Sequence, residues 1–153
     1  MKYECGYDHH NGEAEWTRRD LFDWVTDVFE APHIVIGAGA TTNIRNHVRD
    51  ELTSAGWSGE VPLCAESDIT VFSMKGDLAF QLQTGNASRA PYDLLKLQYL
   101  YEEKRIEAAA LALPVRFAAK IIGENIASFE RIEKELSIFD RIITVPILLI
   151  GFS

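Results

Sequence analysis

Asp68–Arg89, DITVFSMKGDLAFQLQTGNASR, is the stretch whose reading decides the fold. It divides into two short strands joined by a tight turn, with the start of an amphipathic helix directly behind. A two-residue turn at Lys75-Gly76 sets Asp68 opposite Gln83 and Thr70 opposite Gln81. Paired residues on neighbouring strands share a face, so Asp68, Gln81 and Gln83 are expected on one side of the hairpin. A slip of two residues preserves that result; a slip of one destroys it. Three polar groups on one face of an otherwise apolar hairpin point to a metal and phosphate site.

The flanking sequence predicts what surrounds the hairpin. Tyr3, Tyr7 and Trp16 suggest an extended segment over residues 1–16, with a turn at Asn11-Gly12. Asp8, His9 and His10 resemble a metal cluster, but neighbouring strand residues point to opposite faces, which favours a solvated loop. Leu21, Trp24, Val25, Val28 and Phe29 recur at helical spacing over 17–30, with Thr17 as N-cap and Pro32 as the stop. His33–Ile36 reads as a short strand. Gly37-Ala38-Gly39-Ala40 follows, but a dinucleotide or P-loop signature is missing. A helix is expected over 42–55 with Ile44, Val48 and Leu52 inward, and Asn43, Arg45 and Asn46 near its start are candidates for DNA phosphate contacts. Trp57 reads as a lid on the core. After the hairpin come a helix over 91–104 with a wide apolar face, a strand over 106–113 ended by Pro114, a helical turn within 115–123, a helix over 125–139 and a strand over 142–152. This order describes one α/β domain over 1–153, with a mixed central sheet flanked by helices.

Composition sets outer bounds. The chain has 153 residues, 47% hydrophobic and 25% charged, which is ordinary for a globular protein with a real core. No apolar run approaches the roughly 18 residues of a membrane span, and MKYECGYDHH has no signal-peptide core, so a cytoplasmic setting without membrane association is expected. Cys5 and Cys64 are unpatterned and fit a reducing compartment. The net charge of −8 argues against a generic nucleic-acid binder, but binding depends on the local charge of the docking face.

Hydrolysis of a phosphodiester needs an activated water and neutralisation of phosphate charge, and a divalent cation supplies both. Mg2+ takes oxygen ligands, commonly one or two carboxylates. An aspartate, a spacer of about ten residues and Glu-x-Lys or a variant form such a site, but the spacing alone carries little information. Two other readings stay open: a non-catalytic DNA-binding or regulatory protein on the same fold, and an α/β protein whose glutamines only hydrogen-bond along an exposed sheet edge.

Three segments narrow the choice. TyrAspHisHisAsnGly at 7–12, GlnLeuGlnThrGlyAsn at 81–86 with TyrAspLeuLeuLysLeuGlnTyrLeuTyr at 92–101, and PheAspArgIleIleThrValProIleLeuLeuIle at 139–150 together resemble the BglII/BstYI family of type II restriction endonucleases, within the PD-(D/E)XK nuclease fold. The resemblance spans nearly the whole chain. It implies Mg2+-dependent cleavage of double-stranded DNA by a homodimer at a short palindrome containing GATC, with a cognate DNA methyltransferase as partner of an active enzyme. It matches Asp68 to the metal-binding aspartate, Gln81 to the catalytic glutamate's position, and Gln83 to the glutamine that replaces the superfamily lysine. Leu82 would lend its carbonyl to the metal. Asn86, with Ser88 and Arg89 behind it, falls in the segment that approaches the bases, where an asparagine pairs well with adenine. The sequence departs from the family in having a neutral Gln81 where a carboxylate is expected, and a longer spacer from Asp68.

Overall fold

The computed structural model describes residues 1–153. Its centre is a five-stranded sheet in the order β1-β7-β6-β5-β4. The strands are β1 (Tyr3–His9), β4 (Ser73–Lys75), β5 (Leu78–Leu82), β6 (Ala108–Pro114) and β7 (Ile147–Phe152). β5, β6 and β7 run parallel; β1 and β4 pair antiparallel at the two edges. β6 (AAALALP) and β7 (ILLIGF) are buried at every position, as strands covered on both faces must be.

Helices cover both faces. On one lie α1 (Gly12–Thr17), α2 (Phe22–Asp27) and α3 (Thr41–Ser54); on the other lie α4 (Ala90–Glu102) and α6 (Phe129–Ile138). A short α5 (Arg116–Ile122) follows β6. Strand alternation sorts the core in two. Leu78, Phe80, Leu82, Ala110 and Leu148 join Trp16, Phe29, Ile44 and Leu52 in one cluster, while Ala79, Leu111 and Leu149 join Leu94, Leu97, Leu100 and Ile132 in the other. Gln81 and Gln83 therefore face α4. Trp57 closes the first cluster, stacked on Trp16 at 5.7 Å and on Trp24 at 5.8 Å. No helix is long and apolar enough to cross a membrane, and both cysteines are free thiols.

The mixed α/β architecture expected from the sequence is present, with corrections in its details. The helix expected over 17–30 is shorter, α2 alone, because Thr17 ends α1 instead of capping a helix and Asp20 takes a left-handed φ of 57° between the two; α1 itself occupies the end of the segment expected to be extended. His33–Ile36 forms no strand; Ile34 N–H closes a local turn on the Ala31 carbonyl. The last helix and strand begin later than expected, at Phe129 and Ile147.

The hairpin register also differs. The pairs are Ser73 with Phe80, Met74 with Ala79 and Lys75 with Leu78, so the turn is Gly76-Asp77. Gly76 has φ 56°, the left-handed value that favours glycine at the first turn position. This is the slip of two that keeps side-chain parity, but it puts Phe72 across from Gln81, one step beyond the last pair. The ladder breaks at Phe72. Upstream, β3 (Thr70–Val71) leaves the main sheet and pairs with β2 (Val61–Pro62) in a small two-stranded sheet. Asp68 thus stands in the loop before β3 and not on the hairpin.

Candidate functional site

A cleft of about 570 Å³ opens where β5 ends, between α3, α4 and the β2–β3 sheet. Asp68, Gln81, Leu82 and Gln83 line it, with Arg45, Glu60, Phe72, Thr84, Arg89, Tyr92, Asp93 and Lys96. This is the C-terminal edge of the parallel strands, where open α/β sheets commonly bind ligands.

The two glutamines are fixed at both ends. Gln81 Oε1 accepts the Phe72 N–H at 2.9 Å, the donor freed by the break in the ladder. Its Nε2 donates to Asp93 Oδ1 at 2.8 Å. Gln83 Oε1 accepts the Gly85 N–H at 2.7 Å, and its Nε2 donates to Asp93 Oδ2. Backbone donors thereby set the sense of each amide. Lys96, one helical turn after Asp93, completes the cluster with Nζ 2.9 Å from Asp93 Oδ1.

Asp93 is 2% exposed. Burial pushes its carboxyl up, while Lys96 and the two amides pull it back down. Sequence reasoning missed Asp93, although a signal was present: positions 90, 93, 94, 97 and 100 form the buried stripe of α4, and Asp93 is its one charged member. A buried carboxylate in that stripe must find partners, and β5 supplies them.

The other expected site residues are distributed unevenly. Asp68 is exposed at the cleft wall. The Leu82 side chain is buried in the α1–α3 core, so only its backbone reaches the cleft. Arg45 is half-buried, its guanidinium 5.0 Å from the Phe72 ring centroid and 3.8 Å from Glu60. Burial lowers its pKa. Arg89 is exposed on the cleft rim. Asn86 caps the 3-10 turn Ala87–Arg89: its Oδ1 accepts the Ser88 N–H at 2.9 Å and the Ser88 hydroxyl at 2.8 Å. Asn43 is exposed on α3 and does not line the cleft.

His9 and His10 depart from the solvated loop expected of them. Left-handed φ values at His10 and Asn11 turn the chain, so the two rings meet at 4.4 Å instead of pointing apart. His9 is 1% exposed with Nε2 2.6 Å from the Ile143 carbonyl, and His10 Nε2 lies 2.9 Å from the Asp140 carbonyl. Together they fasten the start of α1 to the loop before β7.

The fold and its cleft define a mixed α/β protein with a polar cleft at the C-terminal edge of its parallel strands. The profile of the restriction endonuclease BglII/BglIII family matches residues 5–152, and the chain belongs to that family. Two solved structures share the fold. Restriction endonuclease BglII complexed with a DNA 16-mer superposes with a TM-score of 0.84 at 14% identity, covering 99% of this chain and 76% of that one. Free BglII superposes with a TM-score of 0.73 at 14% identity, covering 100% and 80%. No curated protein sequence matches the chain.

Restriction endonucleases of this family generally act with a divalent metal, and the cleft can be tested for one. Such an ion needs several oxygen donors, with carboxylates among them. The Gln81 oxygen accepts the Phe72 N–H and is neutral, and its nitrogen, a donor, faces Asp93. Asp93, the one buried carboxylate, already holds an ammonium group. Asp68 is exposed at the cleft wall, and no three acidic or histidine side chains of the cleft converge. The residues present do not fit a divalent-cation site.

Proposed function

We propose that this protein binds double-stranded DNA in the cleft, as a restriction-endonuclease-type reader of a short palindrome containing GATC, and that it does not cut that DNA efficiently with Mg2+. The observation that carries the reading is the double commitment of the Gln81 amide. Its oxygen already accepts a backbone N–H and its nitrogen is held by Asp93, so its orientation is fixed and it brings a metal no negative charge. DNA binding rests on family membership and on the character of the cleft. Its charged lining is balanced, Arg45, Arg89 and Lys96 against Glu60, Asp68 and Asp93, on a chain of net charge −8. The cleft is thus the less repulsive approach for phosphate. Arg45 and Arg89 contact phosphates in this reading, with Asn43, Asn86 and Ser88 nearer the groove edges.

A two-fold DNA site is best read by a two-fold protein. A homodimer is supported by Tyr92, Leu95 and Tyr99, which form an exposed stripe along α4 at 44%, 55% and 40% exposure. A partner methyltransferase belongs only to an active enzyme.

The second reading, an Mg2+-dependent endonuclease with Asp68 as metal ligand and Gln83 orienting water, is favoured by one observation: Asp68 shares the cleft with Leu82 and both glutamines. Plasmid cleavage with Mg2+, run beside binding to GATC-containing duplexes at low salt, separates the two. Binding without cutting is the expected result. Efficient cutting by the unaltered chain establishes the endonuclease instead. Restored cutting in Gln81→Glu makes Gln81 the cause of the lost activity; a folded, DNA-binding Gln81→Glu that leaves plasmids intact shows that the defect extends beyond position 81.

A further inference from the structure

We propose that Lys96 is the resident cation of this cleft, seating a DNA phosphodiester group without a divalent metal. The inference rests on the DNA-binding reading above and deepens it. Three observations carry it. Lys96 is held by Asp93 at 2.9 Å and lies only 5.3 Å from the Tyr92 ring centroid, so its ammonium is positioned rather than swinging in solvent. Asp93 is itself held by two amides whose orientation the backbone dictates. An ammonium has three donors, and Asp93 takes one, leaving two for an incoming anion.

The charge logic is distinct from that of a metal-dependent nuclease. A cluster of carboxylates repels DNA until a cation neutralises it. Here Asp93 is already neutralised by a covalently attached cation, so the cleft accepts phosphate as it stands. Arg89, which makes no ion pair with an acidic side chain, and Arg45 extend the positive character along the cleft.

The test is fluorescence anisotropy of labelled GATC-containing duplexes against the full chain, in EDTA and in Ca2+ at matched ionic strength. The expected affinities agree within about twofold, because no metal contributes to the site. Lys96→Met should weaken binding to every duplex by a similar factor and lower the salt slope by about one phosphate, and Lys96→Arg should restore it. Circular dichroism checks the fold of each variant. Binding by the unaltered chain that needs Ca2+ overturns the inference and leaves the DNA-binding reading intact. So does an unchanged salt slope in a folded Lys96→Met. Failure to bind any duplex at low salt in either buffer sinks the DNA-binding reading, and the inference with it.

Discussion

Replacing Gln81 by glutamate exchanges one amide nitrogen for an oxygen and preserves the side chain's shape. That nitrogen donates to Asp93 Oδ1 across 2.8 Å. In Gln81→Glu two carboxylate oxygens meet there instead. At such a spacing two unit charges repel by about 6 kcal/mol at an effective dielectric constant of about 20. The chain escapes part of this by keeping a proton on one carboxyl. For a glutamate of ordinary pKa that costs about 4 kcal/mol near pH 7.5 and about 1.6 kcal/mol near pH 5.5. The cheaper route sets the outcome, so the variant should lose about 4 kcal/mol at the higher pH and about 2 at the lower. The sign follows from linkage: the folded variant holds a proton that the unfolded chain releases, so its stability falls as pH rises above the unfolded carboxylate pKa. For a chain of this size the larger loss is about 8–16 °C in Tm. Thermal and urea unfolding of both proteins in EDTA at the two pH values reads it. Two facing carboxylates also make a cation site, so millimolar Mg2+ should raise the Tm of Gln81→Glu and leave the parent unmoved. A loss under about 1 kcal/mol with no pH dependence would refute the contact between Gln81 and Asp93.

Gly12→Ala should cost about 3 kcal/mol or more in urea unfolding, because its Cβ would lie 2.1 Å from the Ile147 carbonyl carbon of β7; Gly37→Ala, which meets nothing within 4 Å, should stay within about 0.5 kcal/mol. Arg19 ties Glu15, Asp77 and Glu107 together and holds the Asp77 and Glu15 carboxyls below their usual range. The stability those carboxyls lend is complete above their unfolded pKa of about 4 and disappears as pH falls through the folded values, so Arg19→Ala should cost about 1 kcal/mol at neutral pH and flatten the acid limb of a stability–pH curve. Burial depresses the His9 pKa. Its contribution is complete above about pH 6.5 and is lost as pH drops through the folded value. His9→Asn should therefore remove a measurable part of the decline in urea midpoint between neutral pH and about pH 5.

Periodicity alone determined the larger elements. The mostly apolar run of β5, the unbroken apolar runs of β6 and β7, and the helical stripes of α3, α4 and α6 are local properties, and burial on one or both faces follows from them. The shared face of Gln81 and Gln83 was equally legible, since it depends only on a period of two. Backbone reversals were legible only in part: the turn at Asn11 carried its own signal, but left-handed φ at Asp20, which separates α1 from α2, and at His10, which helps bring two histidine rings together, did not. Nor was the hairpin's geometry, because both registers keep the same parity and only the break at Phe72 separates Asp68 from the sheet. The site itself joins residues on two elements whose spacing no single pattern encodes. The sequence by itself determined that two glutamines would stand together on one face of β5. Only the tertiary structure decided what they meet: packing α4 across that face brings Asp93 and Lys96 onto the amides, and burial compels the carboxylate to take every donor within reach.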